Sequence, residues 1–303
     1  MLKRKTKATA QNAIGFHEDG ICYASVDRIS SEKPSIVALE FFPCNEDEYP
    51  ITLNALVKKY KLKNTTCFSF LNHDAYKLLV TEAPDVPDEL MVDAVQWEVK
   101  DLVGFPLEEA TLDVFPVPDH ASTKKNINVV AARKEVIQAR ADLFEEASLN
   151  LNVIDIEEMA FRNIAATQEK EAQGSVIIVL RKNHGLVLFC RGGELHFSRR
   201  LAEGFEILNE DESRIESIAL EIQRSIDFFD RHFTEIGMNN LILFPYGNTE
   251  YFAANFLDKN LTLPCTMLDL NQGLEWEVSA DLLDQSRCLL ALGAALRCED
   301  DAE

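Results

Sequence analysis

Two stretches of this chain open in the same way, and that repetition restricts the fold more than any other feature. Residues 13–16, 21–26 and 35–42 are apolar runs separated by short turns, the first of them Glu18-Asp19-Gly20. Much later, 175–180, 185–190 and 194–201 repeat the arrangement, with Gly192-Gly193 at the second turn. Apolar runs bounded by turn residues read as strands, and a glycine pair supplies the positive φ of a tight hairpin. Each three-strand meander is followed by an alternation of helices and strands. In the first half the spacing predicts a helix at 52–60 and strands at 66–71 and 76–81. Asp88 stands at the N-cap position of the next helix, whose Val92, Val95, Val99, Leu102 and Val103 recur at helical spacing until Gly104 and Pro106. Strands at 111–117 and 127–132, a helix at 134–147, a strand at 151–154 and a helix at 157–166 complete that half.

The second half continues with a long helix at 211–232, on which Ile215, Ile218, Ala219, Ile222, Ile226 and Phe229 form one stripe. Strands at 241–244 and 266–268, a helix at 250–259 and a closing helix at 280–297 follow. The expected architecture is α/β, a duplicated two-lobe fold with a small α+β insertion in lobe one at about 74–133. The expected boundaries are a basic flexible start at 1–12, a first lobe at 13–167, a polar linker at 168–174, a second lobe at 175–298 and an acidic tail at 299–303.

At 303 residues and 47% apolar composition the chain has material for two cores. It carries 51 acidic and 30 basic residues, a net charge of −21. Residues 201–303 alone hold 21 acidic and 6 basic side chains, hence −15. Such a surface repels phosphate backbones, so nucleic acid is not an expected partner. The seven cysteines include no CxxC pair and read as reduced, mostly core residues, with no metal site expected. The basic start, Lys3, Arg4, Lys5 and Lys7, is followed by no apolar segment, and the longest apolar runs fall far short of the roughly 20 residues of a membrane span.

No HxxxH, HExxH, GxSxG, GxxxxGK[ST] or GxGxxG occurs among these residues. Two turns bear on phosphate binding because they join the first strand pair of each lobe. The turn 15–20 holds Glu18 and Asp19, whose charge opposes phosphate, and reads as a plain hairpin, with His17 as a surface histidine beside it. The turn 181–185 holds Arg181 and Lys182 without an acidic metal ligand, and reads as a solvated turn, with an anion site as the alternative. Trp97 either packs within its own helix environment or anchors a partner.

Several segments resemble the actin-like pilus-assembly proteins of the PilM type. They are 94–113 (AVQWEVKDLVGFPLEEATLD), 129–136 continuing to 153–157, 193–200 (GELHFSRR), 221–229 (EIQRSIDFF) and 291–297 (ALGAALR). They span nearly the whole chain in the family's order and are most similar to the branch found in MSHA-type pilus biogenesis. The resemblance implies an actin-like (ribonuclease H-like) fold whose insertion is the small subdomain of this family's first lobe.

Nucleotide-binding members of the family carry an Asp-x-Gly-rich turn at the start of each lobe. Here His17 takes the first Asp position, 179–181 offers no Asp-x-Gly, and the glycine pair expected near an adenosine site reads Phe244-Pro245-Tyr246-Gly247. Pro245 lacks an N–H and Tyr246 is bulky where a base would approach. The expectation is therefore a non-catalytic scaffold with no cofactor and no metal, cytoplasmic and peripheral at the inner membrane. Its implied partner is a single-span inner-membrane pilus assembly protein, bound through its cytoplasmic N-terminal peptide, with the assembly motor ATPase as a further contact. The family's peptide groove involves the inserted subdomain, and Trp97, Phe105 and Glu109 are the expected contact residues. The alternatives are an ATP-binding actin-like switch and the cytoplasmic part of a type II secretion platform protein.

Overall fold

The computed structural model describes residues 10–28, 33–118, 125–168, 174–206, 212–246, 257 and 260–298. The expected helix at 250–259, apart from Leu257, lies outside them, as do Gly247, the tails at 1–9 and 299–303, and most of the expected linker at 168–174. The chain forms two compact units. The first comprises 1–160 and 276–303, the second 161–275.

The first unit is built on a mixed sheet. Strands β1 (Ala10–His17), β2 (Gly20–Asp27) and β3 (Ser35–Pro43) form the expected antiparallel meander. Helix α1 (Tyr49–Tyr60) leads to β4 (Thr66–Leu71), which lies parallel to β1. The inserted subdomain follows, comprising β5 (Tyr76–Glu82), α2 (Met91–Val103), β6 (Ala110–Pro116) and β7 (Asn126–Arg133). Its sheet has the order β5-β7-β6, antiparallel throughout. Helix α3 (Lys134–Glu146) then returns the chain to β8 (Asn150–Ile156), parallel to β4, and α4 (Glu157–Gln168) follows. Leu53, Leu56, Val57 and Phe144 from α1 and α3 close on Ile14, Phe16, Tyr23 and Cys67.

The second unit repeats the pattern. Strands β9 (Gly174–Leu180), β10 (Gly185–Arg191) and β11 (Glu194–Leu201) are an antiparallel meander. Gly192 and Gly193 both have positive φ, as the tight turn requires. Helix α5 (Glu212–His232) precedes β12 (Met238–Phe244) and β13 (Cys265–Met267), both in parallel register. All six residues of the predicted α5 stripe are buried, and Ile215, Ile218, Ile222, Ile226 and Phe229 share one core with Val176, Ile178, Val187, Phe189 and Leu243. Phe189 and Phe229 stack at 4.4 Å.

Three expectations are corrected. Asp88 does not cap α2, which starts after the 3₁₀ turn Asp88–Leu90. Leu102 does not face the core; it is 58% exposed, because the packed face is that of Met91, Val95, Val99 and Val103. The closing helix is two, α6 (Leu282–Arg287) and α7 (Leu289–Ala295), parted at Cys288. Their environments differ: every residue of α7 is buried and none of α6 is. The two-residue strand β14 (Glu275–Trp276) and the helical turn Leu270–Gly273 carry too few residues to show a period and were not anticipated.

The compact units also divide elsewhere than at 168–174, and the carboxy-terminal segment falls in the first unit. The packing explains why. Helix α7 lies on β1, β2 and β4, Glu277 N–H donates to the Ile36 carbonyl at 3.0 Å, and Arg297 pairs with buried Asp155 at 3.1 Å. A Cβ on Gly293 would stand 2.1 Å from the Ala160 carbonyl oxygen, so glycine permits this close approach.

Candidate partner-binding site

The inserted subdomain presents the residues singled out from sequence. Helix α2 stops at Gly104, whose φ of 84° suits glycine at a helix end. One face packs Val95, Val99 and Val103 on Ile127, Val129 and Ala131 of β7. Trp97 lies off that face, 70% exposed, with no hydrogen bond or ring contact among the described residues. Its packing within the helix environment, the alternative from sequence, is not what the structure shows. Phe105 packs at the edge of the same core, under the Arg133 guanidinium at 4.5 Å. Glu109 pairs with Arg133 at 2.6 Å, and Lys134 Nζ donates to the Glu108 carbonyl at 2.8 Å. The structure thus gathers Phe105 and Glu109 on Arg133, because Ala110 faces Arg133 in the β6–β7 register. Among the described residues, no hydrogen bond or ring contact joins Trp97 to them.

A second cluster marks where the insertion leaves and rejoins the sheet. Asn72, directly after β4, donates from Nδ2 to the Phe16 carbonyl at 2.8 Å. Its Oδ1 is buried without a partner among the described residues. Arg140 of α3 donates from Nη1 to Ser69 Oγ at 2.7 Å and to the Phe70 carbonyl at 2.8 Å, with its guanidinium 4.4 Å from the Phe16 ring. No hydrogen bond engages Nε or Nη2, and no carboxylate pairs with the group, among the described residues. Burial pushes the guanidinium down to about 10, Tyr49 and Cys22 acting weakly against it. The sequence reading passed over both residues. A signal was available: Arg140 stands one turn before buried Phe144, so a cation occupies the apolar register of α3.

The three turns with a bearing on nucleotide binding are filled by the protein. His17 is not a surface residue: it is buried in β1, with Nε2 3.2 Å from Cys22 Sγ and its ring 5.8 Å from that of Phe70. Tyr49 Oη donates to its carbonyl at 2.7 Å. The Phe70 ring lies so close over Gly15 that a Cβ there would be 2.0 Å away. Asp19 faces Arg287 at 3.4 Å. In the second unit, the turn at 181–185 is covered by 204–206: the N–H groups of Phe205 and Glu206 donate to the carbonyls of Arg181 and Lys182. Lys182 pairs with Glu206 at 3.5 Å. The Tyr246 ring is buried, 5.6 Å from the Arg181 guanidinium.

Two sheets that share an order, three antiparallel strands followed by two parallel ones, the first with β14 added beside β3, and with helices on the faces, define an actin-like protein. The sequence profile of the type IV pilus assembly protein PilM matches residues 52–212, just over half of the chain, and the chain belongs to that family. Among solved structures it is similar to the PilM–PilN type IV pilus biogenesis complex, with 17% identity and a TM-score of 0.76 over 97% of this chain and 98% of that one. The cytoplasmic domain of EpsL, an inner-membrane component of the type II secretion system of Vibrio cholerae, follows at 12% identity and TM-score 0.54, covering 95% and 96%. A Bacteroides thetaiotaomicron protein of unknown function with an actin-like ATPase fold gives 10% and 0.52, covering 96% and 98%. At these identities the likenesses concern the fold. Curated protein sequences yield no match. No helix among the described residues is long and apolar enough to cross a membrane.

Proposed function

We propose that the chain is a non-catalytic scaffold of a type IV pilus assembly machine of the MSHA type. In this reading it holds the cytoplasmic N-terminal peptide of a single-span inner-membrane protein where the inserted subdomain joins the first sheet. The carrying observation is Arg140, a part-buried guanidinium bonded through Nη1 alone and paired with no carboxylate among the described residues. A desolvated cation without a partner is costly, and peptide carbonyl or carboxylate oxygens are the partners a guanidinium fork fits. Family membership supports the machine. The complex named for PilM and PilN supports a protein partner by analogy with that PilM. Through such a partner the chain sits at the cytoplasmic face of the inner membrane, with the assembly motor ATPase as a further contact. Support for a non-catalytic role comes from the filling of the turns by Phe70, His17 and Tyr246.

The test is fluorescence anisotropy with synthetic peptides copying the cytoplasmic N-termini of the organism's single-span pilus proteins. Arg140→Ala should weaken binding about tenfold or more, the weight of one or two charge-assisted hydrogen bonds. Arg140→Lys, which keeps the charge without the fork, should weaken it less. Alanine at Trp97, Phe105 and Glu109 tests the subdomain face. Unchanged affinity in all of these folded variants would discard the placement. The non-catalytic reading expects no shift of the thermal midpoint with about 1 mM ATP and magnesium. A site with a Kd near 10 μM adds about 2.7 kcal/mol and raises the midpoint by roughly 2 °C or more, which would overturn it.

A further inference from the structure

The most acidic part of this chain borders a basic cleft. Residues 201–303 carry a net −15, yet Arg199 of β11 and Arg224, Asp227, Phe228, Arg231 and His232 of α5 enclose about 240 Å³. Among the described residues, none of the three arginines pairs with a carboxylate. Asp227, the acidic member of the lining, accepts a hydrogen bond from Gln223 Nε2 at 2.7 Å. Arg199 is positioned without being neutralised: Nη1 donates to Ser225 Oγ at 3.4 Å, and its guanidinium lies 5.6 Å from the Phe228 ring. Phe228 stacks on His232 at 4.1 Å, and His232 Nδ1 donates to the Phe228 carbonyl at 2.8 Å. Cations in the last turn of a helix offset its dipole, which accounts for Arg231 and His232. It does not account for Arg224, two turns earlier, or for Arg199 on a strand.

We infer that this cleft docks an extended acidic peptide whose carboxylates recur every third residue. Arg224 and Arg231 are seven residues apart on one helix, about 10 Å along its axis. Two carboxylates on one chain can each meet one of the two arginines. Three residues of polyproline-II chain advance about 9 Å and return the side chain to the same side, so carboxylates at i and i+3 match the pair. Arginine forks fit carboxylates bidentately. An anionic bilayer would instead meet the acidic body as well as the cleft, which opposes that occupant. The inference concerns the second unit and stands apart from the docking site of the first.

The experiment uses the whole chain and a fluorescein-labelled peptide of about ten residues with glutamate at every third position. Saturable anisotropy is expected, lost when glutamines replace the glutamates. The double variant Arg224→Glu/Arg231→Glu should weaken binding at least tenfold. Arg214→Glu, which alters an arginine paired with Glu203 outside the cleft, should leave it unchanged. Both target arginines are exposed, so circular dichroism should be unaltered; if the reversal unfolds the chain, the paired glutamine variant replaces it. Equal affinity in wild type and double variant overturns the inference. So does tighter competition by pyrophosphate than by the unlabelled peptide, which would make this a small-anion site. Sedimentation of wild type but not the double variant with phosphatidylglycerol vesicles, without peptide binding, would assign the cleft to a membrane instead.

Discussion

The sheets of the two units share one strand order and differ in what they bury. In the second unit β9 is buried along its whole length with Ser175 as its one polar side chain, and β10 is buried and apolar from Gly185 to Cys190. The six-residue stripe of α5 seals one face of that sheet with aliphatic and aromatic groups alone. The first sheet buries polar groups within its strands. Tyr23 Oη donates to Asn12 at 2.8 Å, Ser69 Oγ donates to the Ile14 carbonyl at 2.8 Å, and Asp155 holds Arg297. Arg140 lies against the same strands. The difference follows from the insertion. Between β4 and β8 the chain leaves to build another sheet and returns, and the polar ends of that excursion are folded into the junction. The charged cleft of the second unit lies between β11 and α5 and is lined by none of the stripe residues.

The comparison is broken hardest at Gly293. Gly293→Val forces side-chain carbons into the Ala160 carbonyl and should cost at least about 3 kcal/mol, read as a fallen thermal midpoint or insoluble protein. Gly104→Ala is its counterpart with open space: nothing lies within 4 Å of the added Cβ, so only the positive φ is charged, about 1 kcal/mol. Of similar size to the first, Phe229→Ala should cost about 3–5 kcal/mol through the stack with Phe189 and Phe233. Hydrogen exchange should then quicken in β9–β12 and leave β1, β2 and β4 protected. Equal loss in both units would break the two-unit description.

Alkali should act on the first unit. Burial, with the Glu46 carboxylate adding to it, pushes Tyr49 up to about 12 from the usual 10. The native state therefore keeps a proton that the unfolded chain loses between those values. The resulting stabilisation is whole below pH 10 and is lost as pH rises to about 12. Arg140 works in the opposite sense, its burial penalty being relieved from about pH 10 upward. Tyr49→Phe should remove the tyrosine's share of the loss, read as a smaller fall of the thermal midpoint between pH 10 and 12. The smallest effect is expected at the subdomain surface. Glu109→Gln should change stability by less than about 1 kcal/mol, and a double-mutant cycle with Arg133→Gln should return roughly 0.2–1 kcal/mol.

Much of the fold was legible because it is written in short-range periods. The meanders, the α5 stripe and the insertion between β4 and β8 are patterns of two or about 3.6 residues bounded by turn residues, and the chain cannot bury them in another register. The family resemblance, and no local period, pointed to Phe105 and Glu109, which Arg133 gathers, and it gave no hint of Arg133 itself. Legibility ended where partners are far apart in sequence. Arg140 reaches Ser69 and Phe70 across about seventy residues; His17 is buried because Phe70, Cys22 and Tyr49 enclose it; α7 joins the first sheet although it follows the second. By itself the sequence determined which segments become strands and helices and which of their faces must be covered, since backbone geometry sets those periods residue by residue. Only the tertiary structure decided which segment covers which face and which polar groups are left desolvated at the junctions, because burial is a property of neighbours in space and not of neighbours along the chain.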